Sequence, residues 1–298
     1  MTTSTVAALG LGAMGLEIAT CLAKGYTVCG YDPVSLCRDR AYERGLNLAS
    51  SASEAVQDAD YIVIAVRNGA QLTDLLFDQD NVAKSMKDGA IVIITSTVGS
   101  QAIHEVEKRL VSYGVEVVDA PVSGGPVRAG QGDLLITVGA SDEVYERALP
   151  LLNDLSSTLV HVGKKAGDGQ SMKTVNQLLC GVHIAAAAEA LALASQLGLD
   201  QEVALEALMG GAAASFMLGD RGPRAIQASR GEQAPVRSRL DIFVKDMGIV
   251  TAAAKKAGIS VPVASAAEQL YLHGLSRGWG ADDDSSIIRA IQPTESER

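Results

Sequence analysis

Cysteine is scarce in this chain and carries no pattern. The four cysteines, Cys21, Cys29, Cys37 and Cys180, form no C-x-x-C pair, and each falls in a stretch that reads as helix or strand. Free, buried thiols in a reducing compartment are therefore expected. Positive charge is short as well. Twenty-five Lys and Arg against 35 Asp and Glu leave a net charge of −10, which argues against nucleic acid, whose binding needs clustered basic residues. His104, His161, His183 and His273 are scattered without metal-ligand spacing, so no metal is expected. A Gly-x-Ser-x-Gly elbow and a phosphate loop ending in Gly-Lys-Ser/Thr are both missing. Met1 to Thr5 carry no positive region, so no signal peptide is expected. A membrane helix needs about 20 predominantly apolar residues, whereas the longest apolar stretch, Leu178 to Leu199, is interrupted by His183, Glu189, Ser195 and Gln196. That stretch reads as a helix buried in protein, and the chain as soluble and cytoplasmic, with no membrane partner.

The chain's 298 residues, 47% of them hydrophobic and 20% charged, suffice for two globular domains. The organising stretch is Val6 to Gly15, an apolar run ending in Gly10, Gly12 and Gly15 with Leu11, Ala13 and Met14 between them. Strand, tight turn and helix start follow in that order. The first glycine permits the turn, the second lets backbone approach a pyrophosphate, and the third lets helix and strand pack closely. Phosphates then face the free N–H groups of the helix start. A second strand, Tyr26 to Tyr31, ends at Asp32, where an acid suits the ribose 2′-hydroxyl of NAD and repels the 2′-phosphate of NADP. The tyrosine–lysine pair of short-chain dehydrogenases is absent, because no Tyr is followed four positions later by Lys.

Strands continue to alternate with helices. Leu46 to Ala49, Tyr61 to Val66, Ile91 to Ile94, Val115 to Val118, Leu134 to Val138 and Thr158 to Val162 read as strands. Ser35 to Arg44, a helix capped at Ser53, Gln71 to Phe77, Ser100 to Tyr113 and Glu143 to Leu152 read as helices. This pattern predicts an α/β Rossmann-type doubly wound parallel sheet. Near Gly163 the alternation stops, and an all-α C-terminal domain is expected. The boundary gives 1–163 for the dinucleotide-binding domain and 164–298 for the second. Gln170 to Leu197, Gln201 to Met209, Asp241 to Ala257 and Val263 to Leu275 read as its helices. Asp282-Asp283-Asp284 reads as a solvated cap before Ser285 to Ile291, Pro293 to Arg298 as a disordered tail, and Phe216 to Arg221 as a loop like those around Arg67 and Arg128.

Three further stretches carry chemistry. Asp119-Ala120-Pro121-Val122-Ser123-Gly124-Gly125 directly follows a predicted strand, and its hydroxyl and uncluttered N–H groups could nest a carboxylate. Lys173, Asn176 and Gln177 share one face of a predicted helix. A lysine desolvated in a cleft can exchange a proton with a substrate hydroxyl, and Asn176 would hold that hydroxyl in line. Lys245 and Asp246 are adjacent, so they are expected to face different ways.

These motifs, in this order, resemble the β-hydroxyacid dehydrogenase family over nearly the whole chain. The resemblance implies NAD(P)-dependent oxidation of a hydroxy acid by a Rossmann domain joined to an all-α domain that dimerises through long helices. It implies Lys173 as catalytic acid/base with Asn176 as helper, and Ser123, Gly124 and Gly125 as the substrate-carboxylate site. Asn68, Thr97 and Lys245 would join the glycine loop at the cofactor, Lys245 at the closed cleft. Here Val66-Arg67-Asn68 places arginine where many members have proline. The C-terminal half, through Gln177 to Ala186, Asp241 to Asp246 and Asp283 to Ser285, is most similar to members acting on L-threonate. Those members carry histidine where this chain has Asn176. The expected reaction is NAD-dependent oxidation of L-threonate to its 2-oxo acid by a homodimer or homotetramer. The alternatives are 3-hydroxyisobutyrate or tartronate semialdehyde as substrate, and a non-catalytic NAD-sensing regulator as a different class.

Overall fold

A computed structural model of the chain describes residues 4–78 and 81–292. Two compact units, Met1–Lys173 and Thr174–Arg298, divide inside one long helix. The tail expected from Pro293 lies outside the described residues.

The first unit runs β1 (Thr5–Leu9), α1 (Ala13–Leu22), β2 (Thr27–Tyr31), α2 (Ser35–Glu43), β3 (Asn47–Leu48), α3 (Ala52–Val56), β4 (Tyr61–Ile64) and α4 (Gly69–Phe77). It continues with β5 (Ile91–Ile94), α5 (Ser100–Leu110), β6 (Glu116–Asp119), β7 (Val122–Ser123), α6 (Gly125–Gln131), β8 (Leu134–Gly139), α7 (Asp142–Leu155) and β9 (Ser156–Gly163). The strand order is β3-β2-β1-β4-β5-β6-β8-β7, with β9 on β8. Every pair from β3 to β6 is parallel, but β8 runs antiparallel to β6 and β7. The expected parallel sheet thus acquires a mixed edge. The short β7 enters directly after the Pro121 turn, and residues 124–133, the short α6 included, are fewer than the dozen or so that a parallel crossover to β8 would need.

Strand residues alternate between two cores, as a period of two demands. Val6, Ala8, Val63, Ile91 and Ile93 pack with α1 and α7; Ala7, Leu9, Ile62, Ile64, Val92 and Ile94 pack with α3, α4 and α5. Both faces are therefore covered, which explains the unbroken apolar strands. The cap of α3 is Ser51, accepting from Glu54 N, rather than Ser53. Among the cysteines only Cys21 is buried; the other three are half-buried, and all four are free.

The second unit holds most of α8 (Asp168–Gln196), then α9 (Gln201–Met209), α10 (Phe216–Ser229), α11 (Leu240–Ala257) and α12 (Pro262–Ser276), followed by a 3₁₀ segment, Asp284–Ala290. Its core joins Ile184, Ala188 and Leu191 to Phe243, Met247, Tyr271 and Ile287. Helix α8 is long and apolar enough to cross a membrane by length and composition, yet 44% of its most apolar window is buried within the protein.

Three expectations fail here. Phe216 to Arg221 opens a helix, capped by Ser215, which accepts from Leu218 N. Glycine is tolerated inside this helix because Gly219 and Gly222 leave room for the side chains of Met209 and Leu205 on α9. Nor is the aspartate run a solvated cap. Asp283 and Asp284 are 2% and 0% exposed and pair with Arg224 and Arg221 at 3.0 Å each. A charge run looks solvated in sequence because its counter-ions lie some 60 residues away. Arg128 also lies on a helix, α6, paired with Asp133 at 2.8 Å.

Candidate active site

The carboxyl ends of the parallel strands bring the sequence motifs of the first unit onto one edge of the sheet, where a doubly wound fold binds ligands. At the end of β1, Gly10 has φ +90°, and a Cβ there would strike the Ala65 carbonyl. A Cβ on Gly15 would strike Gly10 itself, so α1 packs tightly on the strand. Gly12 differs: it is the exposed N-cap of α1, and a Cβ there would meet nothing within 4 Å. Ala13 is exposed, Met14 half-buried and Leu11 buried. One glycine therefore makes the turn, one makes the packing, and Gly12 leaves an open face lined by helix-start N–H groups. That face fits a dinucleotide pyrophosphate.

Asp32 follows β2 and is 7% exposed. One carboxylate oxygen accepts from Leu11 N at 2.7 Å and the other from Val34 N at 2.8 Å. The acid expected to meet a ribose thus also braces the glycine loop. Asn68, after β4, caps α4 by accepting from Gln71 N at 2.9 Å, and Arg67 beside it is exposed. Thr97 stands half-buried in the loop after β5.

The Asp119 motif follows β6. Ser123 ends β7, and Gly124 and Gly125 have φ of 141° and 76°, values that residues with a Cβ rarely adopt. Lys173, on the first turns of α8, is 7% exposed and donates from Nζ to Ser123 Oγ at 2.6 Å. Residues fifty positions apart are thereby joined. Asp119 is fully buried and accepts from Gly167 N, Gln170 N and Gln170 Nε2 at 2.9, 2.8 and 2.9 Å. Burial pushes its carboxyl up to about 6 despite those hydrogen bonds, and Asp168 nearby adds to the rise.

In the second unit, Asn176 donates to Gln177 Oε1 at 2.9 Å, and Gln177 Nε2 donates to Asp246 Oδ2 at 2.5 Å. Lys245 Nζ lies 2.8 Å from Asp246 Oδ1. The expectation that Lys245 and Asp246 face apart is overturned. Asp246 is 2% exposed and needs a counter-charge, and the long lysine stem folds back to supply it.

The sequence pattern of the NAD-binding domain of 6-phosphogluconate dehydrogenase matches residues 5–163. The pattern described as NAD-binding of NADP-dependent 3-hydroxyisobutyrate dehydrogenase matches residues 167–291. The chain belongs to the β-hydroxyacid dehydrogenase family. An L-threonate dehydrogenase of Pectobacterium atrosepticum is 34% identical over 95% of this chain and 93% of its own. The crystal structure of a 3-hydroxyisobutyrate dehydrogenase from Salmonella typhimurium is 35% identical, with a TM-score of 0.87 over 96% of this chain and 99% of that one. A Mycobacterium tuberculosis 3-hydroxyisobutyrate dehydrogenase, solved with L-serine, is 27% identical with a TM-score of 0.86 over 98% and 100%.

As a member of that family the chain is an NAD-dependent hydroxyacid dehydrogenase. Sequence reasoning passed over the groups that hold its polar residues in place. Asp119 stood inside a noted motif without a role, Gln170 stood only as the start of a predicted helix, and Asp246 stood beside Lys245. The available signal was their type: a carboxylate or amide in an otherwise apolar setting must find partners.

Proposed function

We propose that this dehydrogenase oxidises L-threonate to its 2-oxo acid, with Lys173 as general acid/base. The observation that carries the reading is the buried Lys173 Nζ held 2.6 Å from Ser123 Oγ. With Ser123 Oγ accepting from lysine, its own hydroxyl proton is directed elsewhere and suits a substrate carboxylate oxygen. The N–H groups at Gly124 and Gly125 add donors to the same anion. A hydroxy acid anchored by its carboxylate then sets its hydroxyl against Lys173, which takes that proton as the carbon–oxygen double bond forms. Asn176, one helical turn beyond Lys173, holds the hydroxyl. NAD, held by Gly10 to Gly15 with Asp32, Asn68 and Thr97, supplies the hydride acceptor when bound. The place of Lys245 near the cofactor rests on the family resemblance alone. Asp32 favours NAD over NADP, because a buried carboxylate at that strand end repels a 2′-phosphate.

The choice of L-threonate is supported by the relatives named for it, which match this chain along nearly its full length. A panel of L-threonate, 3-hydroxyisobutyrate and tartronate semialdehyde, run with NAD and with NADP and followed by nucleotide absorbance, tests it. The highest kcat/KM is expected for L-threonate with NAD. A higher value for either other acid refutes the substrate, and a preference for NADP refutes the role of Asp32.

The working form is a soluble, cytoplasmic homodimer or homotetramer. Val175, Leu179, Ala186, Ala190 and Leu193 recur along α8 at helical spacing and are exposed, Leu193 at 59%, and Leu197 just past the helix end is 68% exposed. An apolar stripe of that length marks an interface, and a second copy of the same helix fits it. Leu179→Glu with Leu193→Glu should yield a monomer by light scattering; an unchanged oligomer would place the interface elsewhere.

A further inference from the structure

Gln170 is fully buried, and the hydrogen bonds of its amide tie together three segments of the first unit. Its Oε1 accepts from Val98 N at 2.9 Å and Gly99 N at 3.0 Å. Its Nε2 donates to Ser96 O at 2.9 Å and to Asp119 Oδ1 at 2.9 Å. Both lone-pair sites and both protons are thus used. The partners also settle which end of the amide is which, since two backbone donors need the oxygen, and a carbonyl with a carboxylate needs the NH₂. The first segment is the loop after β5, in which Ser96 and Val98, on either side of Thr97, are bound to the one amide. Ser96 Oγ in turn accepts from Val66 N at 2.7 Å, extending the network to the loop after β4. The second segment is the end of β6, at Asp119. The third is the first turn of α8, three residues ahead of Lys173.

Two rungs therefore connect the stretch 119–123 with the stretch 170–173: Asp119 to Gln170, and Ser123 to Lys173. The first rung also holds the Ser96–Gly99 loop. We propose that Gln170 is a positioning residue that registers Lys173 and Ser123 against the cofactor-side loop carrying Thr97. It is one rigid amide shared by the proton-transfer side and the hydride-accepting side of the reaction. The inference rests on the reading of Lys173 as acid/base and of Thr97 as a cofactor contact. No shorter or apolar side chain can reproduce the arrangement. Asparagine lacks a methylene of reach, leucine offers no polar atom, and glutamate turns an oxygen toward both Ser96 O and Asp119.

The expected loss follows from geometry, because a displacement of about 1 Å in a reacting group costs on the order of 10²-fold in rate. Gln170→Leu and Gln170→Glu should each lower kcat by about 10- to 100-fold. The KM of the best acid in the panel and the NADH Kd should stay within a factor of about three. The isotope effect on kcat with carbinol-deuterated acid should rise, since misregistered hydride transfer becomes rate-limiting. In a Lys173→Ala background Gln170→Leu should cost little more, because the residue it positions is gone. Wild-type kcat in either variant, a loss carried by KM and NADH binding instead of kcat, or full additivity with Lys173→Ala would overturn the proposal. Failure of both variants to fold would overturn it as well, reducing Gln170 to a structural bond. Lys173→Ala measured alone separates the two readings. If that variant turns over normally, the acid/base assignment fails; if it is inactive while Gln170→Leu is not, only the positioning role fails.

Discussion

Two aspartates, one in each unit, are equally buried and held by opposite means. Asp119 receives three hydrogen bonds from neutral N–H groups, one from Gly167 just ahead of α8 and two from Gln170 in its first turn. Asp284 lies against the Arg221 guanidinium, with contacts of 3.2 and 3.0 Å, and Arg221 also pairs with Asp220 at 2.8 Å. Burial pushes both carboxyls up to about 6 against the pull of their partners. Neutral donors aim backbone with precision and leave the charge uncancelled. A guanidinium cancels charge and locks α10 onto the Asp284–Ala290 segment. The first arrangement serves geometry next to Lys173, and the second serves cohesion far along the chain from any reacting group.

Substitutions should split along that line. Lys173→Ala, at the catalytic end of the Asp119 network, should lower kcat by about 10²- to 10⁴-fold with no change in thermal midpoint. A matching fall in the midpoint would show that this region, too, is held for stability. Arg221→Met strands Asp284 and should destabilise the fold by about 3–5 kcal/mol, read by urea unfolding, while kcat per folded enzyme stays put. That loss should shrink at acidic pH, where a protonated Asp284 needs no counter-charge. A stable Arg221→Met variant would mean that the pair contributes nothing net.

Asp119→Asn probes the other member. The folded carboxyl titrates near 6, above the unfolded value near 4, so between those values the folded chain holds a proton that the unfolded chain has lost. The contribution of this group to stability is therefore full below about pH 4 and declines as pH rises to about 6, by up to about 3 kcal/mol. Relative to wild type, Asp119→Asn should gain stability by roughly that amount from pH 4 to pH 7. Parallel unfolding curves at both ends of the range would assign the pH dependence elsewhere.

Much of the architecture was legible beforehand because it follows local rules. The roles of Gly10, Gly12 and Gly15 are set by φ and by the absence of Cβ, properties each residue carries alone. Apolar, β-branched runs such as Ile91–Ile94 read as strands covered on both faces. Helix α10 was hidden because Gly219, Gly222 and Pro223 look like breakers until the side chains of α9 are placed against the two glycines. The Lys245–Asp246 pair was misjudged because backbone direction alone ignores the reach of a lysine stem.

By itself, then, the sequence determined the dinucleotide loop, the change from α/β to helix, and the residue types able to move a proton and hold a carboxylate. Those follow from neighbours within a turn or a strand. Tertiary structure decided that Lys173 meets Ser123, that Gln170 clasps Asp119 and the Ser96–Gly99 loop, and that Asp283 and Asp284 are buried in ion pairs. These partners lie about 50 to 75 residues apart, and a buried polar group takes whichever complementary group the fold brings within hydrogen-bonding reach.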